Sequence, residues 1–152
     1  MEKFGKSQPI TRVEDVRFLT GEGRYVDDIA PDGALHAFAF RSPVAHGIIT
    51  ELDVSEAAEA EGVHMVITCA DLEAAGVHVE IPGATVKNRD GSTAAAPVRP
   101  MLARDRVRFV GEPVAMVIAD TYEQARDAAE LIIFDVDELP AKIEMGRGGA
   151  EG

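Results

Sequence analysis

The apolar run VAMVIA at residues 114–119 constrains the fold most, because no side chain in it is polar. A strand with one solvated face alternates apolar and polar residues, whereas a strand covered on both faces is apolar throughout. The run therefore predicts a central strand. The turn signal Gly111-Glu112-Pro113 precedes it and separates it from a second short strand run that begins at Arg106.

The same reading along the chain predicts further strands and short helices. β-Branched or aromatic runs indicate strands at residues 34–40, 47–54, 63–68 and 132–139. Capping residues indicate helices that begin near Ser55, near Thr68 with Asp71, and near Thr121 with Gln124. Residues 13–32 are expected to be irregular and residues 82–100 to form a long loop, because glycine and proline interrupt both segments.

These elements alternate too irregularly, with helices too short, for a doubly wound parallel sheet. We therefore predict an α+β fold, with a mixed sheet and two or three short helices. The polar residues 1–12 are expected to be a flexible arm, residues 13–145 one domain, and the glycine-rich residues 146–152 a flexible tail.

Composition excludes several classes of partner. The formal net charge of −12 would repel phosphate backbones and anionic membranes, so we expect no nucleic-acid partner. No stretch approaches the length of a membrane span, and no apolar signal segment opens the sequence, which predicts a cytoplasmic protein. The single cysteine, Cys69, lies in an apolar run, which predicts a buried thiol and neither a disulfide nor an iron–sulfur site.

Side chains that could carry chemistry form no convincing constellation. Asp27, Asp28, His36 and His46 match no metal-ligand spacing, so we expect no metal site. The Gly21-Glu22-Gly23 pair lacks the third glycine of a phosphate-binding loop. Glu112, between a glycine and a proline, could be a catalytic base, but a structural turn between two strands is the favoured interpretation. We expect no catalytic residue in this chain.

Four ordered segments resemble a known family. They are VEDVRFLTGEGRYVDDI, LHAFAFRSPVAHGII, RPMLARDRVRFVGEPVAMVIA and AAELIIFDVDELPA. Together they resemble the opening of the large, molybdopterin-binding chain of the xanthine dehydrogenase and aldehyde oxidase family, most closely its carbon monoxide dehydrogenase branch. The resemblance covers about residues 12–141 and implies the α/β hammerhead domain.

The resemblance implies an accessory role in an oxidoreductase. In that family the molybdenum–molybdopterin pocket and the catalytic glutamate belong to domains that follow this one, and iron–sulfur clusters and FAD lie elsewhere in the complex. The family reaction is oxidative hydroxylation with oxygen from water. The implied partners are the molybdopterin-binding domains, the iron–sulfur small subunit and the flavin subunit, and this chain alone is expected to bind no cofactor and to be inactive.

The segment from Pro97 to Pro113 is our candidate contact surface. It is unusually basic for so acidic a chain, and its candidate interface residues are Arg99, Arg104, Arg106, Arg108 and Glu112. The alternative is that these arginines pair with carboxylates of the same surface. Two other functions stay open: a stand-alone protein-interaction module without a redox role, and a small enzyme using Glu112 and His36.

Overall fold

The structure, a computed structural model, describes residues 12–83, 86–94 and 99–144. The expected flexible arm and tail lie, except for Arg12, outside these ranges. The chain divides into two compact units, one up to Ala34 and one from Leu35 onwards. No helix in the described ranges is long and apolar enough to cross a bilayer.

The first unit contains α1 (Asp15–Leu19) and a 3-10 turn (Val26–Asp28). The prediction of irregular chain was therefore wrong for these residues. The Arg12 N–H donates to Asp15 Oδ2 at 2.9 Å. This bond gives a partner to a backbone N–H just before the helix, which has no capping serine or threonine. The rings of Phe18 and Tyr25 stack with centroids 5.4 Å apart. Local contacts of this kind carry no periodic signature in a sequence.

The second unit contains the predicted strands and helices. Its elements are β1 (His36–Arg41), β2 (Gly47–Asp53), α2 (Ser55–Glu59), β3 (Val63–Thr68), α3 (Cys69–Ala74), β4 (Glu80–Ile81), β5 (Arg99–Pro100), β6 (Arg106–Val107), β7 (Pro113–Ala119), α4 (Tyr122–Ala129) and β8 (Ile133–Glu138). Within the described ranges the strands form three sheets, ordered β1-β7-β3, β6-β2-β8 and β4-β5.

The α+β class with few helices is confirmed, but the expected mixed sheet is instead three small sheets whose strand pairs are all antiparallel. The strands are joined by short helices and turns, and parallel pairing would need longer crossover connections. Of the predicted long loop, Lys87 and Thr93 bridge a tight turn. Residues 84–85 and 95–98 lie outside the described part of the chain.

Strand β7 lies between β1 and β3, which confirms the prediction of a central strand. Its register places Phe38, Val117 and Val66 side by side on one face of the sheet. Helix α4 packs on that face, and its buried residues Ala125 and Ala129 belong to the same core cluster as Val117. Because alanine side chains are small, the helix can approach the sheet closely. A core of this kind suits a chain with few aromatic residues.

The two larger sheets are joined through a second core cluster. Val107 of β6 and Val114 of β7 are fully buried, and Phe40 and Phe134 pack against this cluster. The two phenylalanine rings contact each other edge to face, with their centroids 5.6 Å apart. This cluster fixes the chain on both sides of the turn between β6 and β7. The candidate interface residues are therefore carried on a rigid base.

The three predicted caps have different outcomes. Ser55 was expected to be an N-cap, but it is the first residue of α2, and its N–H donates to Asp53 Oδ1 at 2.9 Å. The Thr68–Asp71 capping box of α3 is confirmed. Thr121 caps α4 by accepting from the Gln124 N–H at 3.2 Å. The Ser55 prediction failed because a carboxylate at the end of β2 reaches the same backbone.

The capping box predicts a measurable pH dependence. The Thr68 hydroxyl and then the Thr68 N–H donate to Asp71, and they hold the pKa of Asp71 below its ordinary 3.8. Because the folded pKa is the lower one, the cap stabilises the fold above about pH 4 and is lost as pH falls through the folded pKa.

Replacing Thr68 with alanine is expected to cost about 1 kcal/mol at pH 7. Wild type should lose unfolding free energy as the pH falls below about 4, and Asp71→Asn should lose less. The difference should be well under about 1 kcal/mol, because the carboxyl group is exposed. Urea titrations at pH 7 and pH 3 measure both effects. Equal pH dependence in wild type and Asp71→Asn would contradict the assignment.

Candidate interface at the arginine-rich turn

The turn between β6 and β7 is built by a glycine and by backbone hydrogen bonds. The Glu112 N–H donates to the Phe109 carbonyl at 3.2 Å, and Gly111 adopts a φ of +86°, which favours glycine. Ser42 fixes the turn from the other side, since its N–H donates to the Glu112 carbonyl at 3.0 Å. The favoured interpretation of Glu112, as part of a structural turn, is confirmed.

Sequence reasoning missed the burial of the Glu112 side chain. It is 3% exposed, and its Oε2 accepts from the Arg108 N–H at 2.5 Å. Its Oε1 lies 3.5 Å from Arg108 Nη1. A carboxylate is buried only where donors replace water, and here the donors come from the turn that it closes. The signal that could have found it is the spacing of Arg108 and Glu112 across a glycine turn.

The tip of the turn projects two apolar side chains into solvent. Phe109 is 52% exposed and Val110 is 64% exposed. The Arg41 guanidinium donates to the Gly111 carbonyl at 2.8 Å and so supports the tip from β1. Exposed adjacent apolar residues on a supported turn are typical of a contact surface.

Two clefts flank this tip. The first, of about 420 Å³, has the apolar walls Ile81, Pro100, Met101, Phe109 and Pro113 and the charged residues Arg99, Arg108 and Glu112. The second, of about 480 Å³, lies between the tip and the segment after β8, and His46 and Arg108 line it. Arg108 therefore takes part in both clefts, and we call the surface they form the turn surface.

The five predicted interface residues do not form one cluster. Arg99, Arg108 and Glu112 line the first cleft, whereas Arg104 forms an ion pair with Glu73 of α3. The Cys69 side chain and then Glu73 raise the pKa of Arg104. In the described part of the chain, Arg99 and Arg106 form no ion pair.

Pairing with carboxylates of the same surface therefore accounts for Arg104 and for Arg108, which pairs with Glu112, but not for Arg99 and Arg106. The charge of these two arginines is available to a partner. Arg99 lines the apolar first cleft, whereas Arg106 lines neither cleft. An exposed guanidinium beside an apolar cleft is typical of protein–protein contact surfaces.

The structure does not assemble the alternative sites. His36 pairs with Ala119 at one end of β1, whereas Glu112 lies beyond the other end, so the proposed enzyme pair is wrong. His46 Nδ1 lies 3.1 Å from the Pro140 carbonyl. Among the described residues, no group of three or more histidine, cysteine, aspartate or glutamate side chains could hold a metal ion. Cys69 is buried, as predicted.

Residues 20–140 match the family model described as "Aldehyde oxidase and xanthine dehydrogenase, a/b hammerhead domain". The chain belongs to this hammerhead domain family. The predicted resemblance is thereby confirmed.

Longer relatives contain the hammerhead domain as one part. The chain is 42% identical over 143 residues to the nicotine 6-hydroxylase large subunit of Paenarthrobacter nicotinovorans, covering 93% of this chain and 16% of that subunit. It is 40% identical to the carbon monoxide dehydrogenase large chain of Hydrogenophaga pseudoflava, covering 86% of this chain and 15% of the relative. The chain therefore spans about a sixth of the length of the curated relatives it matches.

A solved structure shares the same fold. The quinoline 2-oxidoreductase from Pseudomonas putida 86 superposes with a TM-score of 0.76 at 39% identity, over 86% of this chain and 16% of that one. The relatives named here are oxidoreductases with different substrates. Membership of the hammerhead family therefore leaves the substrate open.

Proposed function

We propose that this chain is an accessory domain of a molybdenum hydroxylase large chain, which packs on the cofactor-bearing domains and holds none of the catalytic groups. The observation that carries the proposal is that 93% of the chain aligns with only 16% of a hydroxylase large subunit. Most of such an enzyme chain lies outside this segment, and on this proposal the segment acts by packing on its neighbours or by shaping their sites.

The turn surface is the proposed contact with the neighbouring domains. Its first cleft is mainly apolar, and Arg99 on its wall has no carboxylate partner in the described ranges. A partner that brings apolar side chains into the cleft and a carboxylate to Arg99 would satisfy both features. Molybdenum–molybdopterin, the iron–sulfur clusters and FAD belong, on this proposal, to other parts of the large chain, to the small subunit and to the flavin subunit.

The residues of this chain do not fit an iron–sulfur cluster. Such clusters are held by several cysteine thiolates, and the sequence contains only Cys69, which is 2% exposed and packed among Val79 and Leu102. Any iron–sulfur clusters of the proposed enzyme would therefore have to be held by its other domains or subunits.

The test is affinity purification of the tagged chain from its own cells, followed by molybdenum and iron analysis. Stoichiometric molybdenum and iron, together with a chain that carries molybdopterin-binding domains, are expected. A metal-free preparation without such a chain would contradict the proposal and would favour the stand-alone interaction module.

Charge reversal tests the turn surface. The substitution Arg99→Glu, in the wall of the first cleft, is expected to reduce the recovered partner about fivefold, since an exposed ion pair contributes up to about 1 kcal/mol. The matched control is Arg126→Glu on α4, which is also an exposed arginine and should leave recovery unchanged. An equal reduction in both variants would indicate a general effect of net charge.

A further inference from the structure

The sheet β1-β7-β3 has a second face that the described helices of this unit leave partly exposed. Residues opposite one another in an antiparallel pair share a face, and the register forms two rows on this side of the sheet. The rows are Ala37–Ile118–Met65 and Ala39–Met116–Ile67. All six residues are apolar, and together we call them the outer face.

Cover over the outer face is uneven. At the row of Ala39, Met116 and Ile67, the side chain of Ile67 packs against the cluster of Cys69, Val79 and Leu102. At the other row Ala37 is exposed, Ile118 is half-buried, and Met65 is 51% exposed. Antiparallel sheets that face water present polar side chains there, so an apolar face left half open is the exception that indicates a contact.

The area of the outer face decides what can bind to it. Three strands about 4.8 Å apart and two rows about 7 Å apart give a footprint of about 200 Å². A stable complex between separate molecules buries about 800 Å² on each partner. A second copy could not be held by this face alone, whereas a neighbouring domain on the same polypeptide binds with the advantage of its tether.

We propose that the outer face is a second docking surface, distinct from the turn surface, and that it is covered by an uncharged apolar surface of a neighbouring domain of the same large chain. This inference rests on the proposed function. The outer face carries no charged residue to recognise an ion or a polar ligand, and its alanines on β1 leave room for larger side chains of the partner. Its contact is therefore apolar packing, whereas the turn surface adds charge.

Two methionines with similar exposure report separately on the two surfaces. Met65 lies on the outer face at 51% exposure, and Met101 lines the first cleft of the turn surface at 44% exposure. Peroxide oxidises an accessible thioether to a sulfoxide, so the rate of oxidation reports its cover. In the free chain both methionines are expected to oxidise at similar rates, independently of protein concentration.

The experiment compares the free chain with a full-length large chain. The full-length large chain is a hybrid, in which this chain replaces the matching segment of the nicotine 6-hydroxylase large subunit. The hybrid is produced together with the other subunits of that enzyme. Peptide mass spectrometry measures the sulfoxide at both positions over time. We expect Met65 to oxidise at least tenfold more slowly in the assembled enzyme. If the exchanged large chain does not fold, methionine is introduced into the unexchanged nicotine 6-hydroxylase large subunit at the two positions that align with Met65 and Met101. The oxidation of these two methionines is then measured instead.

The outcomes separate this inference from the proposed function. Protection of Met101 with an unchanged Met65 would overturn the outer-face proposal and leave the turn surface standing. Unchanged oxidation of both would overturn both contacts. Protection of Met65 that grows with concentration in the free chain would identify a second copy as the occupant and would also overturn the proposal.

A substitution provides an independent test. In the full-length chain, Met65→Lys is expected to reduce the assembled enzyme at least tenfold, because it places a charge in an apolar contact. Met65→Leu is the matched control and should assemble normally. In the free chain both variants should melt within about 2 °C of wild type, since the side chain is half exposed. Normal assembly of Met65→Lys would overturn the proposal.

Discussion

Replacing Gly47 with valine is expected to destabilise the unit from residue 35 onwards by about 3 kcal/mol. Gly47 is buried in β2, where it pairs with Val107 on one side and Glu138 on the other. A Cβ at this position would collide with Val136 Cγ1 and would lie 2.7 Å from the Asp137 carbonyl oxygen. The backbone of β8 would have to move, which would disturb the sheet that supports the turn surface.

Urea denaturation followed by far-ultraviolet circular dichroism measures this effect as a lower midpoint. The matched control is Thr50→Val on the same strand, because Thr50 is exposed and valine is also β-branched. It should change the unfolding free energy by less than about 0.5 kcal/mol. An unchanged midpoint in Gly47→Val would show that β2 and β8 are less closely packed than their register indicates.

Replacing Glu112 with leucine is expected to cost about 2 kcal/mol of unfolding free energy. The substitution removes the acceptor of the Arg108 N–H and leaves that donor without its partner in the turn. Glu112→Gln keeps a side-chain carbonyl oxygen and should lose less than about 1 kcal/mol. Denaturant titration of the two variants separates the role of the acceptor from the role of the charge.

The two Glu112 variants also bear on the turn surface. If glutamine is as damaging as leucine, the charge on the carboxylate stabilises the turn through the Arg108 guanidinium, and the hydrogen bond to the N–H is secondary. If both are neutral, the turn is held by Gly111 and Ser42 alone. A buried acceptor that closes the turn requires the expected order, in which the leucine variant is clearly less stable than the glutamine variant.

Local patterns in the sequence were sufficient for most of the secondary structure. The apolar run of β7 and the Thr68–Asp71 capping box depend on neighbours within a few residues, so the sequence contains the whole signal. The family was recognisable for the same reason, since the motifs are contiguous strings. Helix α1 was missed because it is five residues long and lacks both a capping residue and an apolar period.

The candidate contacts depend on distant parts of the chain. The basic character of residues 99–108 was visible in the sequence, but the pairing of Arg104 with Glu73 was not, because α3 is brought to it only by folding. Tertiary structure therefore decides which arginines are paired. In the described ranges, Arg99 and Arg106 form no ion pair. The same holds for the exclusion of a Glu112–His36 site, since β1 separates the two residues.

The sequence by itself determined that this chain has a central apolar strand, an α+β fold and membership of the hammerhead family. Tertiary structure alone decided the strand register, and with it which side chains share a face. Alternation along β1 and β3 divides each strand between two faces, but only pairing with β7 brings Ala37, Ile118 and Met65 into one row. The physical reason is that a face is a property of several strands, and cross-strand register depends on backbone hydrogen bonds between residues far apart in the chain.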